Sequence, residues 1–300
     1  MSRKNRIRRE INRTNRPGTP SPKGHPIPAR RRHQARHRQW KLIGGIAGAI
    51  VAFAIFVAVL DISAQPPPPT PPKPISASVL NALAHLPLNT LTTVGKGADT
   101  NPPKVLGKQV TLKVHNTPEV LFIGAEYCQY CALERWSLIG AMSRFGTFTG
   151  LEMIHSSVAE YHIATFTFLH AHYQSPYFDF VSREMYSNNT NAAGAYIPLQ
   201  KLSSTQSSLL SSIGQNGFPF VDFGGMTAQV GSESSKPGPV GLQGLTWQQI
   251  ITKLRQPSTA PAQMILGGVN YDTAAICKMI NNQDKAVCAT PLIQSLEGGL

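Results

Sequence analysis

Cys128-Gln129-Tyr130-Cys131 directly follows the apolar run Val120-Leu121-Phe122-Ile123-Gly124-Ala125, and a helical pattern comes after it. A strand running into C-x-x-C and then a helix is how a thiol–disulfide redox site is built. The strand delivers the first cysteine to the exposed end of a sheet. The helix that starts there turns its free N–H groups and positive dipole end on that sulfur. The thiolate is the reactive species, and a helix N-terminus stabilises it. The two-residue spacer lets the second sulfur reach back across one turn and close a small ring. The chemistry expected of Cys128 and Cys131 is therefore thiol–disulfide exchange.

Two further sets of residues could carry chemistry. Cys277 and Cys288 are eleven apart and read as a structural disulfide that staples the C-terminal helix, worth about 3 kcal/mol for so short a loop; the alternative is an electron relay to or from the C-x-x-C. His170-Ala171-His172 would put two imidazoles on one face of a strand, with His155 and His162 nearby in sequence. Together with the C-x-x-C they offer copper or zinc ligands. After residue 41 there is no second C-x-x-C and no H-x-x-x-H, so no metal site and no cofactor is assigned. Asn188-Asn189-Thr190 is a glycosylation sequon. No Ser-His-Asp arrangement, phosphate loop or dinucleotide fingerprint is found.

The elements that must position these groups are legible in part. Val105–Val114 and Glu119–Ala125 predict strands, the second nearly all apolar and so central and buried. Cys128 to about Phe145 predicts a helix, with Leu133, Trp136, Ile139, Gly140 and Met142 at helical spacing and Gly146 as its stop. Leu151–Val158 reads as the next strand, which completes a parallel crossover and an α/β fold. Thr165–His172 and Phe178–Tyr186 read as an added hairpin. Short helices are expected over Ser78–Leu86 and Lys201–Ile213. Gly217–Phe223 enters a strand that Thr227–Val230 joins after the Gly224-Gly225 turn. Thr246-Trp247-Gln248-Gln249 is a capping box opening a helix to Arg255, and a last helix from about Thr273 carries Cys277.

Charge and hydropathy divide the chain. Residues 1–41 hold fourteen of the 28 Lys and Arg and a single acid, Glu10, so the whole net charge of +13 sits there. The remainder is neutral, which excludes a nucleic-acid reading for the globular part. The tail is Pro- and Arg-rich with almost nothing apolar, and is expected to be disordered and to rest on anionic lipid. Leu42–Leu60 is nineteen residues without a charge, roughly 28 Å of helix and enough for one bilayer crossing. Basic residues before it and Asp61 after it place the N-terminus in the cytoplasm. Either it stays as a signal-anchor, since it exceeds a signal peptide's apolar core, or it is cleaved after Ile62-Ser63-Ala64. In both cases the chain beyond it is exported, and four cysteines in an exported domain favour disulfides. The divisions are thus a basic tail over 1–41, a transmembrane helix over 42–62, a Pro-rich polyproline II stalk over 63–76, and an exported domain over 77–300.

Strand, C-x-x-C, helix and strand, joined later by hydrophobic-Pro-hydrophobic at Phe218-Pro219-Phe220, resembles the thioredoxin superfamily, and is closer to exported DsbA-like oxidoreductases than to small thioredoxins. The stretches Phe122–Trp136 (FIGAEYCQYCALERW) and Ser143–Phe148 (SRFGTF) are similar to a poorly characterised group of membrane-anchored thioredoxin-like proteins of archaea and bacteria. The resemblance covers roughly residues 105–256. It implies a thioredoxin-like mixed sheet flanked by helices, with Cys128 as the exposed nucleophile, Cys131 as the buried resolving cysteine, and Pro219 in a cis bond facing them. The backbone of Phe218 would pair with an extended substrate, and Tyr127 and Tyr130 would line its path. Partners implied are exported cysteine-containing proteins and an integral-membrane redox partner. Two departures stand out. Cys128 and Pro219 are 91 residues apart, so an insertion is expected at about 159–200. The Gln-Tyr spacer carries no cation and Glu126 would oppose the thiolate, so the redox direction stays open. The alternative is a non-catalytic binding module, or a copper or zinc chaperone, on the same fold.

Overall fold

The computed structural model describes residues 71–107, 111–114, 116–232 and 237–300. The basic tail, the apolar run and most of the stalk lie outside the described residues. Among the described residues no helix is long and apolar enough to cross a membrane.

In chain order the elements are β1 (Lys73–Pro74), α1 (Ala77–Ala84), α2 (Leu88–Val94), β2 (Lys104–Val105), β3 (Lys113–Val114), β4 (Thr117–Gly124), α3 (Gln129–Met142), β5 (Thr147–Thr149), β6 (Glu152–His155), β7 (Ala164–Thr167), β8 (His172–Gln174), β9 (Asp179–Glu184), β10 (Tyr186–Thr190), β11 (Tyr196–Pro198), α4 (Ser204–Ser212), β12 (Phe220–Phe223), β13 (Thr227–Val230), α5 (Trp247–Leu254), α6 (Ala260–Met279), α7 (Lys285–Cys288) and α8 (Pro291–Glu297). The architecture is α/β, a mixed sheet flanked by helices. Its six strands run β2–β13–β12–β4, with β4 paired beyond that to β9 and, at its start, to β3. All pairings are antiparallel except β4 with β9, which are parallel over Glu119–Gly124 and Asp179–Glu184.

The pleat divides β4 between two cores. Val120 and Phe122, with their register partners Phe223 and Val221, face a large core built with α3 and α6. Leu121 and Ile123, with Phe220 and Ala228, face a smaller one completed by Leu210 of α4. Both faces are covered, which is why β4 reads as a continuous apolar run. The helix α3 is buried all round from Cys131 to Met142, so its sequence shows little amphipathic contrast.

Three sequence expectations are corrected. The strand near Leu151–Val158 exists as β6, but it pairs antiparallel with β1 and β7 in a separate small sheet. The parallel partner of β4 is β9, within the stretch expected to form an added hairpin with Thr165–His172. Sequential strands are neighbours in most folds, and here that regularity fails because a long crossover intervenes. Val105–Val114 is two short strands rather than one. The helix that carries Cys277 begins at Ala260, thirteen residues before the expected Thr273, and it is not the last, since α7 and α8 follow it. Its start is marked by Thr259, whose side chain caps Ala262, and by Pro261 in the first turn. Gly267-Gly268 hides it in the sequence; a Cβ at Gly267 would lie 2.7 Å from the Lys96 carbonyl, so the glycine admits the loop after α2. The capping boxes of α4 (Ser203, Gln206) and α5 (Thr246, Gln249) are both formed.

Candidate active site

The chain leaves β4 at Gly124 and turns through Ala125–Tyr127 into α3, for which Cys128 is the N-cap. The Cys131 backbone N–H donates to the Cys128 sulfur at 3.3 Å, so the helix's first free donors are spent on that atom. The two thiols are unequal. The Cys131 side chain's hydrogen bond to the Cys128 sulfur is the main cause that lowers the Cys128 pKa; burial opposes it, and the backbone N–H groups of Cys131 and Tyr130 and the charge of Arg135 assist. Burial, first, and then the bond to Cys128 push the Cys131 thiol well above the ordinary value. Exchange chemistry needs one sulfur that ionises readily and one held in reserve, and this turn provides both.

Phe218–Pro219 is a cis bond immediately before β12. Phe220 pairs with Ile123, so the cis bond enters β12 at the end of β4 that leads to Cys128. Behind the turn, Arg135 and Glu184 are both completely buried. Arg135 donates from Nε to Glu184 Oε1 at 2.9 Å and from Nη2 to Glu184 Oε2 at 2.7 Å, and from Nη2 also to the Ala125 carbonyl at 2.9 Å. Glu184 Oε1 accepts in addition from the Phe168 backbone N–H. The ion pair ties α3 to the end of β9. Glu126 is buried too; burial, then the charge of Glu184, raises its pKa, while Thr167 and the Asn188 backbone bond to it.

A model for a domain of unknown function, DUF929, matches residues 104–278, more than half of the chain. The chain belongs to the DUF929 family. No curated protein and no solved structure matches it. The DUF929 segment runs from β2 to the end of α6 and contains the C-x-x-C, the cis proline and the Arg135–Glu184 pair; it stops before Cys288.

Within this DUF929 domain Cys128 is not the exposed nucleophile expected from the sequence; it is 7 % exposed, and Cys131 is 0 %. The expectation fails because the chain after β9 folds back over the turn. Tyr127 stacks flat on Tyr196 of β11 with centroids 4.0 Å apart. The Tyr196 hydroxyl bonds to Ser157 Oγ at 2.8 Å, the Ser157 backbone N–H donates to the Tyr127 carbonyl, and Gln129 donates to Glu160 at 2.8 Å. Tyr127 is thus half-buried and fixed, Phe218 is half-buried between the two cores, and Tyr130 is 46 % exposed.

Cys277 and Cys288 are joined, with 2.00 Å between sulfurs, and both are buried. Met279 of the same helix packs at Gly224, beside Phe223 and Val120 and so at the opposite end of the sheet from Cys128. His155 and His162 stack at 4.1 Å, but His170 pairs with Glu152 at 2.9 Å. Among the described residues no three His, Cys, Asp or Glu converge as metal ligands. The sequon nitrogen is engaged, since Asn188 Nδ2 donates to the His155 carbonyl at 2.9 Å. Sequence reasoning missed Arg135, Glu184, Tyr196, Ser157 and Glu160. One signal for the first existed, because Glu134-Arg135 interrupts an otherwise apolar helix one turn after Cys131.

Proposed function

We propose that this protein is a membrane-anchored, extracytoplasmic thiol–disulfide oxidoreductase that acts on cysteines of exported proteins through Cys128 and Cys131. The observation that carries the reading is the asymmetry of the two thiols: Cys128 caps the helix with its pKa lowered, and Cys131 lies sealed one turn in with its pKa raised. Strand β4, the C-x-x-C, helix α3, the parallel strand β9 and a cis proline leading into β12 come in the order on which the thioredoxin likeness rests, and this supports a thioredoxin-like domain with its insertion in the crossover. The apolar run 42–60 supports the anchor. A disulfide at Cys277–Cys288 suits an oxidising compartment. Tyr130 in the turn, Val158 and Tyr161 in the loop bonded to it, and Ile197 and Leu199 beside Tyr196 are exposed apolar side chains; they suit an extended, partly unfolded substrate.

Exchange proceeds by attack of the Cys128 thiolate on a substrate disulfide and resolution by Cys131, or by the same steps in reverse. The test is turnover of a model disulfide-containing polypeptide by the full-length protein. Activity lost in Cys128→Ser and kept when Cys277 and Cys288 are both serine supports the reading; activity indifferent to Cys128 refutes it.

A further inference from the structure

Arg135 lies four residues beyond Cys131 on α3, so the two side chains share one face of the helix. Both reach the same short piece of backbone. The Ala125 carbonyl accepts from Arg135 Nη2, and the Ala125 backbone N–H is turned to the Cys131 sulfur. Both also lie against Phe122: the guanidinium carbon is 5.5 Å from its ring centroid. A Cβ built on Gly124 would sit 2.6 Å from the Phe122 ring and 3.0 Å from the Cys131 sulfur. The guanidinium has five N–H groups. Three are used, on Glu184 and Ala125, and Nη1 has no partner among the described residues although the side chain is completely buried. Leaving buried donors of a charged group unpaired is costly. Ionisation of Cys131, whose charge couples to the guanidinium, supplies an acceptor for them.

We infer that Arg135 is the positioning cation of the resolving step, with its free Nη1–H groups directed to the negative charge that forms on the Cys131 sulfur. The inference rests on the exchange reading and deepens it. In the reducing direction the Cys128 thiolate attacks a substrate disulfide, the Cys128–substrate S–S bond forms, and the first substrate thiolate leaves and takes a proton from solvent. Cys131 then gives its proton to solvent, and its thiolate attacks the Cys128 sulfur. The intramolecular S–S bond forms, the mixed disulfide breaks, and the second substrate thiolate leaves to be protonated. The substrate gains two electrons and the dithiol loses two. Arg135 acts between those two halves. Glu184 from β9 holds the guanidinium, Glu126 and Cys128 from the turn are the other ionisable groups facing it, and Tyr127 faces the two sulfurs.

The experiment uses the reduced full-length protein and 5,5′-dithiobis(2-nitrobenzoate), whose coloured thiolate is released once on capture by Cys128 and again when Cys131 resolves. The variant is Arg135→Met with Glu184→Met, which leaves no buried charge unpaired. The second release is expected to slow about ten- to a hundredfold, the loss of one charge-assisted hydrogen bond, with its pH midpoint moved upward and the first release far less affected. If that pair of substitutions does not fold, Arg135→Lys replaces it: an ammonium has three donors, all claimed by Glu184 and Ala125, so the second release slows there too. A second release that keeps the wild-type rate and pH midpoint in whichever variant folds overturns the inference. A wild-type protein that is captured at Cys128 but never gives the second release overturns the exchange reading itself, and the inference with it.

Discussion

Arg135 and Glu184 form a two-pronged ion pair with neither side chain exposed, and it joins the helix of the C-x-x-C to β9, which runs parallel to β4. The pair fixes where α3 sits on the sheet and hence where Cys131 points. Its stability signature is a non-additive double-mutant cycle. Arg135→Met alone leaves Glu184 buried and uncompensated and should cost about 3–5 kcal/mol, whereas the double Met variant should cost much less. Denaturant midpoints of the two singles and the double decide it; additive losses would contradict the packing described.

The hairpin β10–β11 is fastened over the C-x-x-C turn by Tyr196. Its stack on Tyr127 is worth about 0.5–1.5 kcal/mol, and the hydroxyl bond to Ser157 about as much again. Tyr196→Ala is therefore expected to speed alkylation of Cys128 by iodoacetamide about tenfold or more, read in a Cys131→Ser background. An unchanged rate would mean that this hairpin does not govern access.

Glu134 on α3 is fully buried; burial, with the charge of Asp99 second, pushes its pKa up to about 8, and burial pushes Asp99 up to about 7. Carboxyls raised in this way cost nothing below about pH 4, where the unfolded chain is protonated as well, and cost most above their folded values. On the acid side, burial and the neighbouring His162 lower His155 to about 4, so its own contribution to stability falls as pH drops from 6.5 towards 4. Two carboxyls outweigh one histidine over that range, so on these three groups stability falls as pH rises from about 4 to about 8. Glu134→Gln keeps an acceptor for Gln229 and should raise Tm at pH 9 by about 3 °C or more, the effect of a kilocalorie in a domain of this size, while changing little at pH 5. A rise of equal size at both pH values would show that ionisation is not the cause.

The sequence makes the local signals plain and hides the long-range ones. Cys128 as N-cap, the two capping boxes and the β12–β13 hairpin each depend on residues within a few positions of one another. The β4–β9 pairing does not: Asp179–Glu184 reads Asp-Phe-Val-Ser-Arg-Glu, with only two apolar residues and no alternation, and nothing in it says which strand it joins. For the same reason the burial of Cys128 is invisible, because Tyr196 that covers its neighbour lies 68 positions away. Arg135 is legible as a charge in an apolar helix, but its partner on β9 is knowable only once the crossover is placed.

The Cys277–Cys288 disulfide closes an eleven-residue separation and lies at the far end of the sheet. Replacing both with serine should cost about 3 kcal/mol and leave exchange at Cys128 intact. Loss of exchange in a variant that is still folded would revive the electron-relay reading and contradict a purely structural role.

Whether Cys128 and Cys131 are an exchanging dithiol is decided by the reduction potential of the full-length protein in glutathione or dithiothreitol buffers. A reversible two-electron couple is expected between about −120 and −270 mV, absent in Cys128→Ser and retained when Cys277 and Cys288 are both serine. A Cys128–Cys131 pair that stays oxidised below about −300 mV, or that shows no reversible couple at all, would contradict it.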